Sequence, residues 1–206
     1  MKTSMCRIVA VIALCPAVDQ AVADDRAEPP RVGDTTPGWT ALTGTDDKQH
    51  SLSDLADTKV VVVCFTSNSC PYSVDYEERL VALQTRFERE KLSAQLVAIN
   101  SNAIPADSLD RMKERASERS FSFPYLRDET QETAKNWGAV YTPEFFVLNS
   151  DRKIVYKGAM DDNTEADKVT KSYVDLAVQA ALAGTVPETT ETGARGCTIR
   201  FKRRRR

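Results

Sequence analysis

The sequence predicts an α/β protein with a mixed parallel and antiparallel central sheet flanked by helices. Three observations carry this. In Lys59 to Phe65 (KVVVVCF), a lysine is followed by an unbroken run of β-branched and apolar residues, the pattern of a strand buried on both faces. Tyr76, Leu80, Leu83 and Phe87 then recur at helical spacing between charged residues, giving one apolar stripe. Glu144 to Leu148 and Lys153 to Lys157 flank Asn149-Ser150-Asp151-Arg152, which is a hairpin signal.

The remaining elements follow in order. Thr40 to Thr43 and Gln49 to Leu52 are placed to pair across Gly44-Thr45-Asp46-Asp47, with a short helical turn at Ser51 to Leu55. Pro71 suits a first helical turn, where its missing N–H costs nothing, so the striped helix runs from Pro71 to about Lys91. Gln95 to Asn100 (QLVAIN) is a second buried strand. Asp107 is expected to cap a helix to Arg119 that turns Leu109, Met112 and Ala116 inward. Phe123 to Leu126 is a brief extended piece, and Glu129 to Trp137 is a helix stopped by Gly138. Asp167 to Leu182 is the last helix, with Val169, Tyr173, Leu176 and Ala180 on one face.

The chain of 206 residues has 41% hydrophobic and 28% charged residues, enough apolar material for one sizeable core. Residues 1–23 carry Lys2 and Arg7, a short apolar stretch and Ala21-Val22-Ala23, the pattern of a cleaved secretory signal peptide. The expected location is therefore secreted or periplasmic. The apolar stretch is shorter than the about 20 residues a spanning helix needs, so no stable membrane insertion is expected. Residues 24–37 read as a flexible leader, 38–187 as the domain, and 188–206 as a C-terminal segment with a basic tail. The tail holds seven basic and no acidic residues from Arg195 onward, while the body is acidic, which argues against a nucleic-acid surface there. The tail itself reads as a solvated segment or as a contact for acidic groups.

Two of the five cysteines, Cys6 and Cys15, fall in the signal, leaving Cys64, Cys70 and Cys197. Cys64 sits inside the apolar strand and reads as a small buried side chain. Cys70 is different, because it follows that strand and immediately precedes a helix. The unpaired N–H groups and positive dipole end of the helix favour a thiolate. The hydroxyls of Ser67, Ser69 and Ser73 are candidate hydrogen-bond donors to it. A second signal is Tyr141-Thr142-Pro143-Glu144 ahead of a strand. A cis bond there would present Thr142 to Cys70, although from sequence alone trans is the commoner isomer. Glu144 is a candidate proton shuttle or a strand-end carboxylate. Asp161-Asp162-Asn163 reads as a cap or metal cluster, or as a surface turn. No phosphate-binding glycine loop, Ser-His-Asp set or haem motif occurs, and neither cofactor nor metal is expected.

The segments NSCPYSVDYEERLVALQ, VAINSN, FPYLRDETQETAKNWGAVYTPEFFVL, YKGAMDDN and GCTIR together resemble the thioredoxin fold. More narrowly they resemble its redoxin branch, the alkyl hydroperoxide reductase and thiol-specific antioxidant group, in a peroxiredoxin-like bacterial subgroup. The resemblance spans residues 37–201. It implies that Cys70 is the nucleophile and that Thr142-Pro143 is the cis-proline loop facing it. Two departures stand out. Ser73 replaces the second cysteine of a Cys-x-x-Cys pair, which excludes a cycle through that pair. Ser67 fits the hydroxyl position of the peroxiredoxin pattern, but Val63 replaces its proline and Pro143 stands about where an arginine is expected.

These residues lead to an expected thiol-dependent oxidoreductase in which Cys70 attacks peroxide or a protein disulfide. Cys197 is either its resolving partner or an unpaired tail cysteine. An external thiol reductant is required. The competing class is a non-catalytic module of the same fold that holds a peptide or a metal ion. The sequence sets no oligomeric state.

Overall fold

The computed structural model describes residues 28–202. The expected signal peptide, the first residues of the leader and the last four arginines lie outside them. The order of elements is β1 (Leu42–Gly44), β2 (Gln49–His50), β3 (Val60–Phe65), α1 (Pro71–Arg89), β4 (Ala94–Asn100), α2 (Leu109–Glu118) and β5 (Tyr125–Arg127). There follow α3 (Glu132–Trp137), β6 (Tyr141–Thr142), β7 (Glu144–Leu148), β8 (Ile154–Gly158), α4 (Tyr173–Leu182) and β9 (Cys197–Thr198). Seven strands form one sheet in the order β2-β1-β5-β4-β3-β7-β8, and β6 pairs with β9 separately. Strands β3, β4 and β5 are parallel to their neighbours in that trio, whereas β7 and β8 run antiparallel beside β3. The sheet is mixed, as expected, and helices flank it.

Strand β3 is central and every one of its residues is buried. Its alternation divides the core. Val60, Val62 and Cys64 face one layer with Tyr76, Leu80, Leu83 and Phe87 of α1 and Val174, Ala177 and Val178 of α4. Val61, Val63 and Phe65 face the other, with Trp39, Trp137, Phe146 and Ile199. Each fully buried valine contributes about 1.5–3 kcal/mol relative to exposure, so this strand anchors both layers. Pro71 occupies the first helical turn of α1, and Cys70 is its N-cap residue. The helix end carries Arg86 and Arg89, the favourable sign for that pole of the dipole. No helix among the described residues is long and apolar enough to cross a membrane.

Several expectations change. Helix α2 starts at Leu109 with Ser108 as its cap, the Ser108 Oγ accepting the N–H of Arg111. Asp107 is therefore not a cap. Helix α4 begins only at Tyr173, because residues 166–168 form a separate 3-10 turn. Its inward face is Val174, Ala177 and Val178, one position off the expected stripe, and Leu176 is exposed. The alanine-rich helix gives an apolar pattern on more than one side, so the stripe was ambiguous. Residues 31–36, expected within a flexible leader, are bound along β8. Gly33 donates to the Ile154 carbonyl at 2.8 Å and Thr36 to the Arg152 carbonyl at 2.9 Å. Asp161 is buried rather than part of a surface turn. Its carboxylate pairs with Arg79 at 2.6 Å and accepts the Tyr76 hydroxyl at 2.9 Å.

Candidate active site

The site forms where β3 ends and α1 begins, at the carboxyl ends of the parallel strands. This is where open α/β sheets place ligands. Cys70 is only 1% exposed, yet it lies at the helix entry rather than inside the strand. The Thr142–Pro143 peptide is cis. The Cys70 Sγ–H donates to the Thr142 carbonyl oxygen at 2.8 Å. The cysteine and the proline loop, 72 residues apart in sequence, thus meet as the resemblance implied.

The second thiol arrives from the C-terminus. Strand β9 pairs antiparallel with β6, with Thr142 opposite Cys197 and Tyr141 opposite Thr198. Thr142 Oγ1 donates to the Cys197 carbonyl at 3.3 Å, and the Ile199 N–H donates to the Val140 carbonyl at 2.8 Å. This register brings the Cys197 side chain beside Cys70, near enough for each thiol to shift the ionisation of the other. Both are free thiols, Cys70 buried and Cys197 half-buried.

The two sulfurs are electrostatically unequal. Burial acts to raise the Cys70 thiol, but donors outweigh it and hold the group below its ordinary value. Those donors are the Cys197 thiol, the Thr142 side chain and the backbone N–H groups of Ser73 and Cys197. Cys197 moves the other way. Burial, its bond to Cys70 and the charge on Cys70 push it up to about 11, against a small opposing effect of Arg200. One thiolate is stabilised at the expense of its neighbour, the arrangement a nucleophile and a proton-bearing partner require. Cys64 is wholly buried and pushed far up by that burial, in keeping with an inert core thiol.

The serines do not act as expected. The Ser67 hydroxyl donates to the Asp107 carboxyl group, and the Ser69 hydroxyl does so at 2.7 Å, so neither is directed at Cys70. The buried hydroxyl of Ser73 has no hydrogen-bond partner among the described residues. It therefore donates nothing to Cys70. Glu144 is spent on the loop itself. Its Oε2 accepts the N–H of Val140 at 2.7 Å and of Tyr141 at 3.0 Å. Burial raises its carboxyl group despite those bonds. Tyr141 is exposed, and Trp137 belongs to the core, where its indole N–H donates to the Gly38 carbonyl.

Two residues of the site were not singled out as such. Asp107 is fully buried beneath the loop that precedes Cys70. It accepts the Asn68 N–H at 2.7 Å and the Asn100 side-chain amide at 2.8 Å, besides the two serines. The adjacent Ser108 is an equally good cap, and that duplication was the available signal. Gly196 is the other. A side chain on it would collide with the Thr142 carbonyl, whose carbon lies 2.6 Å from the position a Cβ would take. Glycine here is what allows β9 to approach β6.

This fold and this pairing of a cysteine with a cis-proline loop define a thioredoxin-like redox protein. The family model for redoxin matches residues 31–174, and the chain belongs to the redoxin family. Two solved structures are similar over most of its length. One is a hypothetical protein from Sinorhizobium meliloti 1021, with 30% identity and a TM-score of 0.77, the match covering 84% of this chain and 96% of that one. The other is an uncharacterized conserved protein from Geobacillus kaustophilus, with 35% identity and a TM-score of 0.76, covering 84% and 93%. A peroxidoxin from Mycobacterium tuberculosis shares the fold at 20% identity and a TM-score of 0.55, covering 75% and 97%. No curated protein matches the chain.

Proposed function

We propose that the protein is an exported thiol oxidoreductase in which Cys70 is the nucleophile and Cys197 the resolving cysteine. The observation that carries this is the β6–β9 register, which sets Cys197 opposite Thr142, the residue whose carbonyl accepts the Cys70 thiol. The N-terminal residue pattern supports export.

With a hydroperoxide as oxidant, the Cys70 thiolate attacks the terminal peroxide oxygen. An S–O bond forms, the O–O bond breaks, and the leaving alkoxide or hydroxide takes a proton. Cys70 becomes a sulfenic acid. The Cys197 sulfur then attacks it, an S–S bond forms and water leaves. With a disulfide as oxidant, Cys70 forms a mixed disulfide and Cys197 displaces the substrate thiol. Either route ends in a Cys70–Cys197 disulfide, which an external thiol reductant returns to two thiols. Thr142 and Pro143 position the reacting sulfur. Ser67 and Ser73 contribute through the loop and the helix backbone rather than as hydroxyl donors to it.

The test is peptide mapping by mass spectrometry after stoichiometric oxidant. Wild type is expected to yield a 70–197 linked peptide. Cys197→Ser is expected to stop at Cys70 sulfenic acid, and Cys70→Ser to consume no oxidant. Oxidised wild type without the 70–197 linkage overturns the assignment.

A further inference from the structure

The C-terminal segment does more than deliver a thiol. Residues 190–202 are fastened on both sides of Cys197. Upstream, the Thr192 N–H donates to the Lys157 carbonyl at 3.1 Å, and its Oγ1 accepts the Ala159 N–H at 3.0 Å. Downstream, Ile199 is buried in the core layer of Phe65 and Trp137. The Arg200 N–H donates to Asn102 Oδ1 at 2.7 Å, and its carbonyl accepts from Ala103 and from the buried Gln131 side chain. The Lys202 N–H closes the series on Gln131 Oε1 at 2.7 Å.

The place this strap fills is a strand edge. Exposed edges recruit extended peptides by backbone pairing. Thr142 lies on the β6 edge, and its carbonyl also receives the Cys70 thiol. A peptide pairing with β6 would set one residue opposite Thr142, beside Cys70. In this protein that position holds Cys197. We propose that residues 196–199 act as a built-in occupant of the peptide edge, restricting Cys70 to small oxidants such as hydroperoxides and excluding extended protein disulfides. This rests on Cys70 being the nucleophile proposed above.

The two kinds of oxidant make unequal demands. On this proposal a molecule of two or three heavy atoms meets the Cys70 sulfur with the β6–β9 pairing intact. Admitting a peptide needs the β6–β9 pairing broken, the Ile199 amide released from Val140, and the Ile199 side chain withdrawn from the core. Gly196 is the residue on which the closed arrangement turns, because any side chain there drives the strap off Thr142.

The experiment compares hydrogen peroxide with an extended ten-residue peptide bearing a central cysteine activated as a thiopyridyl disulfide. The full chain is used in a Cys197→Ser background, so that adducts report on Cys70, and Gly196→Val is added to it. Attack by the Cys70 thiolate forms the new S–S bond and releases thiopyridine, read by absorbance and located by mass spectrometry. Adding Gly196→Val is expected to raise the ratio of the peptide rate to the peroxide rate at least tenfold. A peptide rate that does not rise in the folded variant overturns the proposal. Ile199→Ala removes only the buried anchor. It is expected to raise the peptide rate at least threefold, and it decides the matter should Gly196→Val fail to fold. If Cys70 reacts with neither oxidant in any of the proteins, the nucleophile assignment above fails and the proposal with it; a peptide rate already as high with Gly196 in place as in the variants overturns the strap alone.

Discussion

Asp107 accepts the backbone N–H of Asn68 at 2.7 Å, joining the loop after β4 to the loop that leads into α1. The same carboxyl group takes the Ser67 and Ser69 hydroxyls and the side-chain amides of Asn100 and Asn102. These donors are buried or half-buried, and Asp107 itself is fully buried. Removing the group strands all of them. Each buried donor left unsatisfied costs about 1–3 kcal/mol. Asp107→Ala strands several donors at once and is therefore expected to lower the unfolding free energy by at least about 3 kcal/mol in urea titration. Asp107→Asn keeps one acceptor oxygen but turns an amide donor toward other donors, and is expected to lose about 1–3 kcal/mol. Stability unchanged in the alanine variant would refute this view of the loop.

The serines of SNSCPYS separate cleanly under the same logic. Ser67→Ala deletes a donor to a buried carboxyl group and is expected to cost about 1–3 kcal/mol. Ser73→Ala deletes a buried hydroxyl that has no partner among the described residues. It is expected to fall within about 0.5 kcal/mol of wild type, or to stabilise. The Cys70 alkylation rate should survive Ser73→Ala, since the Ser73 hydroxyl makes no hydrogen bond among the described residues. A large rate loss there would restore a catalytic role to the hydroxyl.

The pH dependence of Cys70 follows from the sign of its shift. Its reactive form is the thiolate, so alkylation by iodoacetamide rises with pH up to the Cys70 pKa and levels above it. That pKa lies below the ordinary thiol value, because hydrogen bonds outweigh burial. A plateau is expected before Cys197 ionises near about 11. The depressed pKa also stabilises the fold above the pKa of the unfolded thiol, about 8.5, a contribution that fades as pH falls through the folded value. Cys197→Ala deletes one of the donors, so the alkylation midpoint should move to higher pH and the rate at pH 7 should drop. A midpoint unmoved by Cys197→Ala would show that the two thiols are not coupled.

The central architecture was readable because it is written in local patterns. KVVVVCF has one interpretation at its length, and α1 shows its stripe between Tyr76 and Phe87. Cys70 was legible for a related reason, since its place between strand and proline-led helix is itself a sequence feature. Three things were hidden. The strap 190–202 is polar, short of regular structure and rich in glycine and threonine, so its dependence on Thr142, Asn102 and Gln131 exists only in three dimensions. Asp107 sat beside an equally plausible cap, and only the loop it supports distinguishes it from Ser108. The hydroxyls of Ser67 and Ser69 are visible in the sequence, but the Asp107 carboxyl group that takes them away from Cys70 is brought there only by the fold.

The pairing of Arg79 with Asp161 gives a last test, away from the thiols. Their contact is 2.6 Å, the Asp161 side chain is 4% exposed, and the Arg79 guanidinium lies 3.6 Å from the centre of the Tyr76 ring. The pair ties α1 to the loop after β8. Asp161→Ala leaves a largely buried guanidinium without its counter-charge and is expected to cost about 3–5 kcal/mol. Replacing both partners, Arg79→Met with Asp161→Leu, removes the stranded charge, and apolar replacement of a buried pair is often neutral. Here recovery should be partial. Arg79 also donates to the Asn163 carbonyl at 3.1 Å and the Thr164 carbonyl at 2.6 Å, and the Tyr76 hydroxyl donates to Asp161. Those groups lose their partners in the double variant, which is expected to sit about 1–3 kcal/mol below wild type and above Asp161→Ala. Thermal and urea unfolding of the three proteins decide it. A double variant less stable than Asp161→Ala would mean that the carbonyl contacts, rather than the ion pair, hold this corner of the fold.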